Sequence, residues 1–137
     1  MKSSYKFKFF LNASHAIKWK EGLGEAHPHT YELICEVELG EFLKFNEVED
    51  QIHQVLDPLE GQFLNDLPAF KEINPTLEKL TYYLFEQINQ GMVALNCELL
   101  RIEEAGKKLL VQNKNRMMNF LNNSSSGFYV HRKSFLI

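Results

Sequence analysis

Apolar and charged residues alternate over two long stretches of the chain. Residues 5–13, YKFKFFLNA, put Tyr5, Phe7 and Phe9 on one side and read as a strand. From Thr30 to Leu39 the alternation is cleaner. Tyr31, Leu33, Cys35, Val37 and Leu39 share one face and Glu32, Glu36 and Glu38 the other, the pattern of a strand with one wet side. Between them residues 18–26, KWKEGLGEA, hold two glycines and read as a loop. The period then changes. Val48, Ile52, Val55 and Leu56 recur at helical spacing behind Asn46, which with Glu49 forms a capping-box-like start. Residues 57–73, carrying Pro58, Gly61 and Pro68, form a connection. Asn74-Pro75 announces a second helix, a capping amide before a proline at the first helical position. Leu77, Leu80, Leu84 and Ile88 are its buried stripe and Gly91 its stop. Residues 96–104 and 107–112, split by Ala105-Gly106, read as a closing hairpin.

The order strand, strand, helix, helix, strand, strand predicts an α+β fold, an antiparallel sheet with both helices on one face. Residues 1–112 read as this domain. Residues 113–137 read as a C-terminal extension of it, a further strand or a partner-binding arm after an Asn/Ser/Gly-rich break.

Composition narrows the class. With 137 residues, 45% hydrophobic and 24% charged, the chain suits one globular core and neither a disordered acidic chain nor a membrane protein. A formal net charge of −3 supplies no general field for nucleic acid or anionic lipid, so neither is expected as a partner. MKSSYKFKFF lacks the apolar run of a signal peptide, and two cysteines, Cys35 and Cys97, favour a reducing compartment. The expected location is cytoplasmic.

The candidate chemistry sits at the mouth of the second strand. His27 and His29 lie at i and i+2, so their imidazoles project from the same face, roughly 6–7 Å apart at the backbone. His15 ends the first strand, and a returning hairpin would bring it near. Three imidazoles with one position left to water or substrate are the donor set of a catalytic zinc. Histidines also serve as hydrogen-bonded polar strand ends, and spacing alone leaves both readings open. His53 and His131 stand elsewhere.

Five ordered motifs carry a family resemblance: Ala13-Ser14-His15; His27-Pro28-His29-Thr30-Tyr31; Leu64-Asn65-Asp66; Asn74-Pro75-Thr76-Leu77-Glu78; and Arg101-Ile102-Glu103. Over about residues 5–112 the chain resembles the 6-pyruvoyltetrahydropterin synthase family, which includes the 6-carboxytetrahydropterin synthases of queuosine biosynthesis. The family's His-Gly-His is His-Pro-His here. The resemblance implies the tunnelling fold, two strands, two helices and two strands. It implies a homo-oligomer, a trimer or a hexamer of stacked trimers, whose sheets close into a barrel. It implies zinc held by His15, His27 and His29, and a pterin-type small molecule bound by Glu103 with Thr76 and Glu78 lining the pocket.

Three departures fall on the chemistry. The family's cysteine before the histidine pair has no counterpart in Leu23-Gly24-Glu25-Ala26. Counting back from Leu64-Asn65-Asp66 sets Leu59, Glu60 and Gly61 on the family's Leu-Asp-His, which keeps a carboxylate as Glu60 and loses the histidine. The family's Asp-Phe before the first helix is Lys44-Phe45. Some members use a glutamate in place of the cysteine, and Glu25 stands close to that position. The resemblance therefore implies a carbon–oxygen or carbon–carbon lyase acting on a dihydroneopterin-type substrate, with Glu25 or Glu60 moving protons. The alternative is a catalytically degenerate zinc- and pterin-binding module with a sensing or assembly role, and behind it a metal-free structural oligomer.

Overall fold

The computed structural model describes residues 3–40 and 44–113 and the backbone of 128–132. Strands β1 (Ser3–His15), β2 (Lys18–Trp19), β3 (Gly22–Leu23) and β4 (His27–Leu39) come first, followed by helices α1 (Phe45–Leu56) and α2 (Leu77–Ala94). Strands β5 (Glu98–Glu104), β6 (Leu109–Asn113) and β7 (Phe128–Arg132) complete the order. The main sheet runs β1-β4-β5-β6-β7 with every neighbour antiparallel. It is the expected α+β tunnelling fold, a four-stranded antiparallel sheet with two helices, to which β7 adds an outer strand along β6. No helix among the described residues is long and apolar enough to cross a membrane.

Alternation does the folding work. Phe7, Phe9 and Leu11 of β1 and Leu33, Cys35 and Val37 of β4 point to one face. There they meet Val48, Ile52 and Leu56 of α1 and Leu80, Leu84 and Ile88 of α2 in a single apolar core. The other face is wet and charged, with ion pairs Lys8–Glu32 and Arg101–Glu36. The connection from 57 to 73 folds as three short 3₁₀ turns that tuck Leu59, Leu64 and Phe70 into the core.

Several element ends differ from the sequence pattern. Residues 18–26 contain the small β2–β3 hairpin, its turn eased by Gly22 at φ 127°. Helix α1 starts two residues early: Lys44 is its N-cap and Glu47 accepts the Lys44 N–H at 3.1 Å, so Asn46 lies inside the first turn. Thr76, not Asn74, caps α2, its Oγ1 accepting the Lys79 N–H at 3.2 Å. Helix α2 runs through Gly91 to Ala94. A Cβ there would meet the end of the Gln51 side chain of α1 at 2.8 Å, so this glycine lies where the two helices pack and does not end α2. In β5 a bulge beside Glu36 and Val37 shifts the register, so Leu99, Ile102 and Glu104 face inward.

Candidate metal and ligand-binding site

The β1–β4 ladder ends on histidine. His15 lies directly opposite His27, and Ala13 opposite His29, so all three imidazoles leave the sheet on the core side at its open end. His15 is oriented by its neighbour in the fold, since its Nδ1 lies 2.8 Å from the Pro75 carbonyl. A carbonyl only accepts, so Nδ1 carries a hydrogen, and in the neutral ring Nε2 keeps a lone pair. In that form it accepts the His29 Nε2–H at 2.9 Å, the rings nearly perpendicular at 82°. Burial first, then electrostatic repulsion from neighbouring His15, His27 and Lys107, lowers the pKa of His29. The neutral imidazole that a cation requires is thus the favoured form.

His27 stands farther off, its ring centroid 6.5 Å from that of His29. Among the described residues no three His, Cys, Asp or Glu donors are already drawn to coordination spacing. The donor chemistry nevertheless fits zinc. Two ligands about 2.0–2.1 Å from one tetrahedral ion lie about 3.3 Å apart, close to the spacing of the facing nitrogens.

Beside the imidazoles opens a cavity of about 410 Å³, lined by His15, His29, Thr30, Tyr31, Leu77, Glu104, Gly106 and Lys107. Glu104 is only 3% exposed. Its Oε2 accepts the Glu32 N–H at 3.0 Å and its Oε1 the Lys107 N–H at 2.6 Å. A carboxylate has about four lone-pair sites, so two remain for N–H groups of a ligand. Tyr31 stacks obliquely at 5.6 Å from His29, and its buried hydroxyl finds no partner among the described residues. Burial, then the Glu104 carboxylate, pushes its pKa up to about 12, so the phenol stays protonated.

The other expected residues are placed differently. Glu103 is not brought to this cavity. It lies on the outer face with Lys6, Glu36 and Arg101, around a smaller space of about 170 Å³. The pleat separates it from Glu104, and the bulge in β5 decides which of the two faces inward. Glu60 is not brought to the histidines either. Its carboxylate accepts the Asn12 N–H at 3.1 Å and the Asn12 Nδ2–H at 3.0 Å at the edge of β1. These bonds hold its pKa below the usual carboxylate range. Thr76 is engaged as a helix cap and Glu78 occupies the first turn of α2; Leu77 between them is the residue that lines the cavity. Glu25 is exposed two residues before β4. Cys35 and Cys97 are buried, their thiol pKa values raised by burial, Cys35 to about 12, so both are inert packing residues.

The sequence reading did not place Glu104, Tyr31 or Lys107 at this cavity. The only sequence signal for Glu104 was its adjacency to Glu103.

The 6-pyruvoyl tetrahydropterin synthase family model matches residues 4–113. Among solved structures, the 6-pyruvoyl tetrahydropterin synthase of Caenorhabditis elegans superposes with a TM-score of 0.63 at 14% identity, covering 96% of each chain. The Plasmodium falciparum protein of the same name gives 0.56 at 12%, covering 96% of this chain and 98% of its own. The Plasmodium vivax protein gives 0.55 at 11%, covering 96% and 99%. At these identities the structural likeness shows the fold alone. No curated protein sequence matches the chain.

Proposed function

The chain belongs to the 6-pyruvoyl tetrahydropterin synthase family, and from that membership we propose that it is a zinc-dependent lyase acting on a dihydroneopterin-type pterin. One observation carries the reading: the Nε2 atoms of His15 and His29 face each other at 2.9 Å, beside a buried carboxylate with unused acceptor sites.

His15, His27 and His29 are the residues that would hold the ion. Bound there, zinc would act as a Lewis acid on hydroxyl or carbonyl oxygens of the pterin side chain. Glu104 takes the anchoring role that the resemblance had placed on Glu103, accepting N–H groups along one edge of the flat heterocycle in paired hydrogen bonds. Leu77 supplies an apolar wall, and the Tyr31 phenol a donor at the floor. Glu25 is the proposed proton carrier. The Plasmodium vivax synthase has been solved with its catalytic glutamate replaced by alanine, which supports a glutamate in this role. Glu60, ionised and bound to Asn12 on the far side of β1, is a poor base for this same chain's cavity. Its use in catalysis would require a second copy. We propose a homo-oligomer, trimer or hexamer, built from the domain of residues 1–112 with 113–137 as its extension.

The second reading, a zinc- and pterin-binding module without turnover, is favoured by the engagement of Glu60 with Asn12 away from the histidines. Incubating zinc-loaded protein with dihydroneopterin triphosphate and following side-chain carbon by mass spectrometry separates the two. Conversion to a shortened or rearranged side chain supports the lyase. Pterin binding without turnover supports the module, and neither binding nor turnover defeats both.

A further inference from the structure

We infer that Asn65 and Asn74 are positioning residues for His15, two side-chain amides that stand in for a neighbouring strand and fix where that imidazole lies. The inference rests on the metal-binding reading above and adds to it the device that prepares one ligand.

Antiparallel pairing with β4 ends at the His15–His27 pair. On the opposite edge of β1 the even-numbered residues turn their backbone groups outward, and the loop after α1 answers them in sequence. Gly61 N–H donates to the Asn12 carbonyl at 2.7 Å, and Ser14 N–H donates to the Gln62 carbonyl at 3.0 Å. Past His15 the backbone-to-backbone pairing gives way to side chains. Asn65 Oδ1 accepts the Ala16 N–H at 2.9 Å and Asn65 Nδ2 donates to the Ala16 carbonyl at 2.7 Å. Asn74 repeats the pattern two residues on, accepting the Lys18 N–H at 2.7 Å and donating to the Lys18 carbonyl at 3.1 Å.

The chemistry is specific. A carboxamide offers one acceptor and one donor, as a peptide group does, and aspartate cannot reproduce the donor. Both amides are sheltered, Asn65 at 7% exposure against a fully buried Ala16. Asn74 is adjacent to Pro75, whose carbonyl receives His15 Nδ1–H. The Asn74 clamp therefore ties strand and acceptor into one frame, with His15 between them. Loosening it separates the ring from the carbonyl, removes the preference for the Nδ1–H tautomer and turns the Nε2 lone pair away from His29. Losing the hydrogen-bond partner of a ligating imidazole, here the Pro75 carbonyl, typically weakens a metal site by about 10–100-fold, and the clamp acts through that partner.

The test uses the full chain with Asn65→Asp and Asn74→Asp, and Ile52→Val on the buried face of α1 as a stability control. Zinc affinity is read by competition with a chelator, cobalt absorption reports the ligand field, and long-range ¹⁵N NMR of metal-free protein reports the His15 tautomer. Each asparagine variant is expected to weaken zinc about 10–100-fold, alter the cobalt bands and mix the tautomers. Ile52→Val is expected to stay within about twofold of wild type. Should burial of a charge at position 65 prevent folding, the half-buried Asn74→Asp decides. Wild-type zinc affinity and an unmixed Nδ1–H tautomer in folded Asn74→Asp overturn the inference while the metal reading stands. A wild type that binds no zinc overturns the metal reading. The tautomer data then still show whether the clamp orients His15, and an unmixed tautomer in the variant removes that too.

Discussion

The two faces of one sheet end use similar residues for different work. On the inner face, Glu104 is buried with two acceptor sites to spare, and His15 and His29 stand nitrogen to nitrogen. On the outer face, Glu60, Glu32 and Glu36 hold Asn12, Lys8 and Arg101, contacts that complete a strand edge and a charged surface. A carboxylate in a sheltered concavity with unused lone pairs can recognise a ligand. One already paired with a strand edge or a surface cation mainly holds the strand. The difference follows from side-chain direction, which the pleat reverses at each residue.

Substitutions that move one face and spare the other break or sharpen this contrast. The largest effect is expected from His29→Ala, which removes a ring central to the cluster. Chelator competition should show zinc affinity falling by at least about 100-fold, with turnover lost alongside it. Next, Glu104→Gln should weaken binding of a dihydropterin by about 10–100-fold in fluorescence titration, because one acceptor of a paired hydrogen bond becomes a donor. Glu103→Gln on the outer face should leave the same titration within about twofold. Equal effects at the two positions would erase the inner–outer distinction. Glu104→Ala should also cost about 1–3 kcal/mol of stability by denaturant unfolding, since it leaves the Glu32 and Lys107 N–H groups without their acceptor.

The smallest effect is one of pH. The folded pKa of His29 lies below the unfolded imidazole value, so as pH falls the unfolded chain takes the proton first. Metal-free protein should therefore lose stability as pH drops below about 6.5, until the folded ring also protonates. His29→Asn should flatten that slope in thermal melts. Glu60, also lowered, contributes stability present above the unfolded carboxylate value and lost as pH falls through its folded value. Glu60→Gln should change the profile only in the acid range below about 4.3. The inner and outer faces thus titrate in separate windows.

Much of this contrast was legible in the sequence. Alternation around Tyr31–Leu39 placed the second strand, and counting back by twos put His29 and His27 on its inner face. Ordered motifs supplied the family and the fold. What failed to show was local phase. Counting by twos from the buried Leu99 lands on Arg101 and Glu103, but the bulge resets the count so that Ile102 and Glu104 face in. A single inserted residue leaves no mark in a hydrophobic pattern that reads ELLRIEE. Asn74 was legible as a helix-start residue and is a clamp, because its amide finds the Lys18 backbone, a contact about 56 residues away along the chain. Long-range partners of that kind are set by tertiary structure, and local propensity does not reveal them.

The most direct test is the zinc content of the purified chain and of His29→Ala, measured together by elemental mass spectrometry after dialysis against metal-free buffer. The inner-face account predicts near one zinc per chain in the wild type and almost none in the variant. A wild type without zinc, or a variant that keeps it, would contradict the account at its centre.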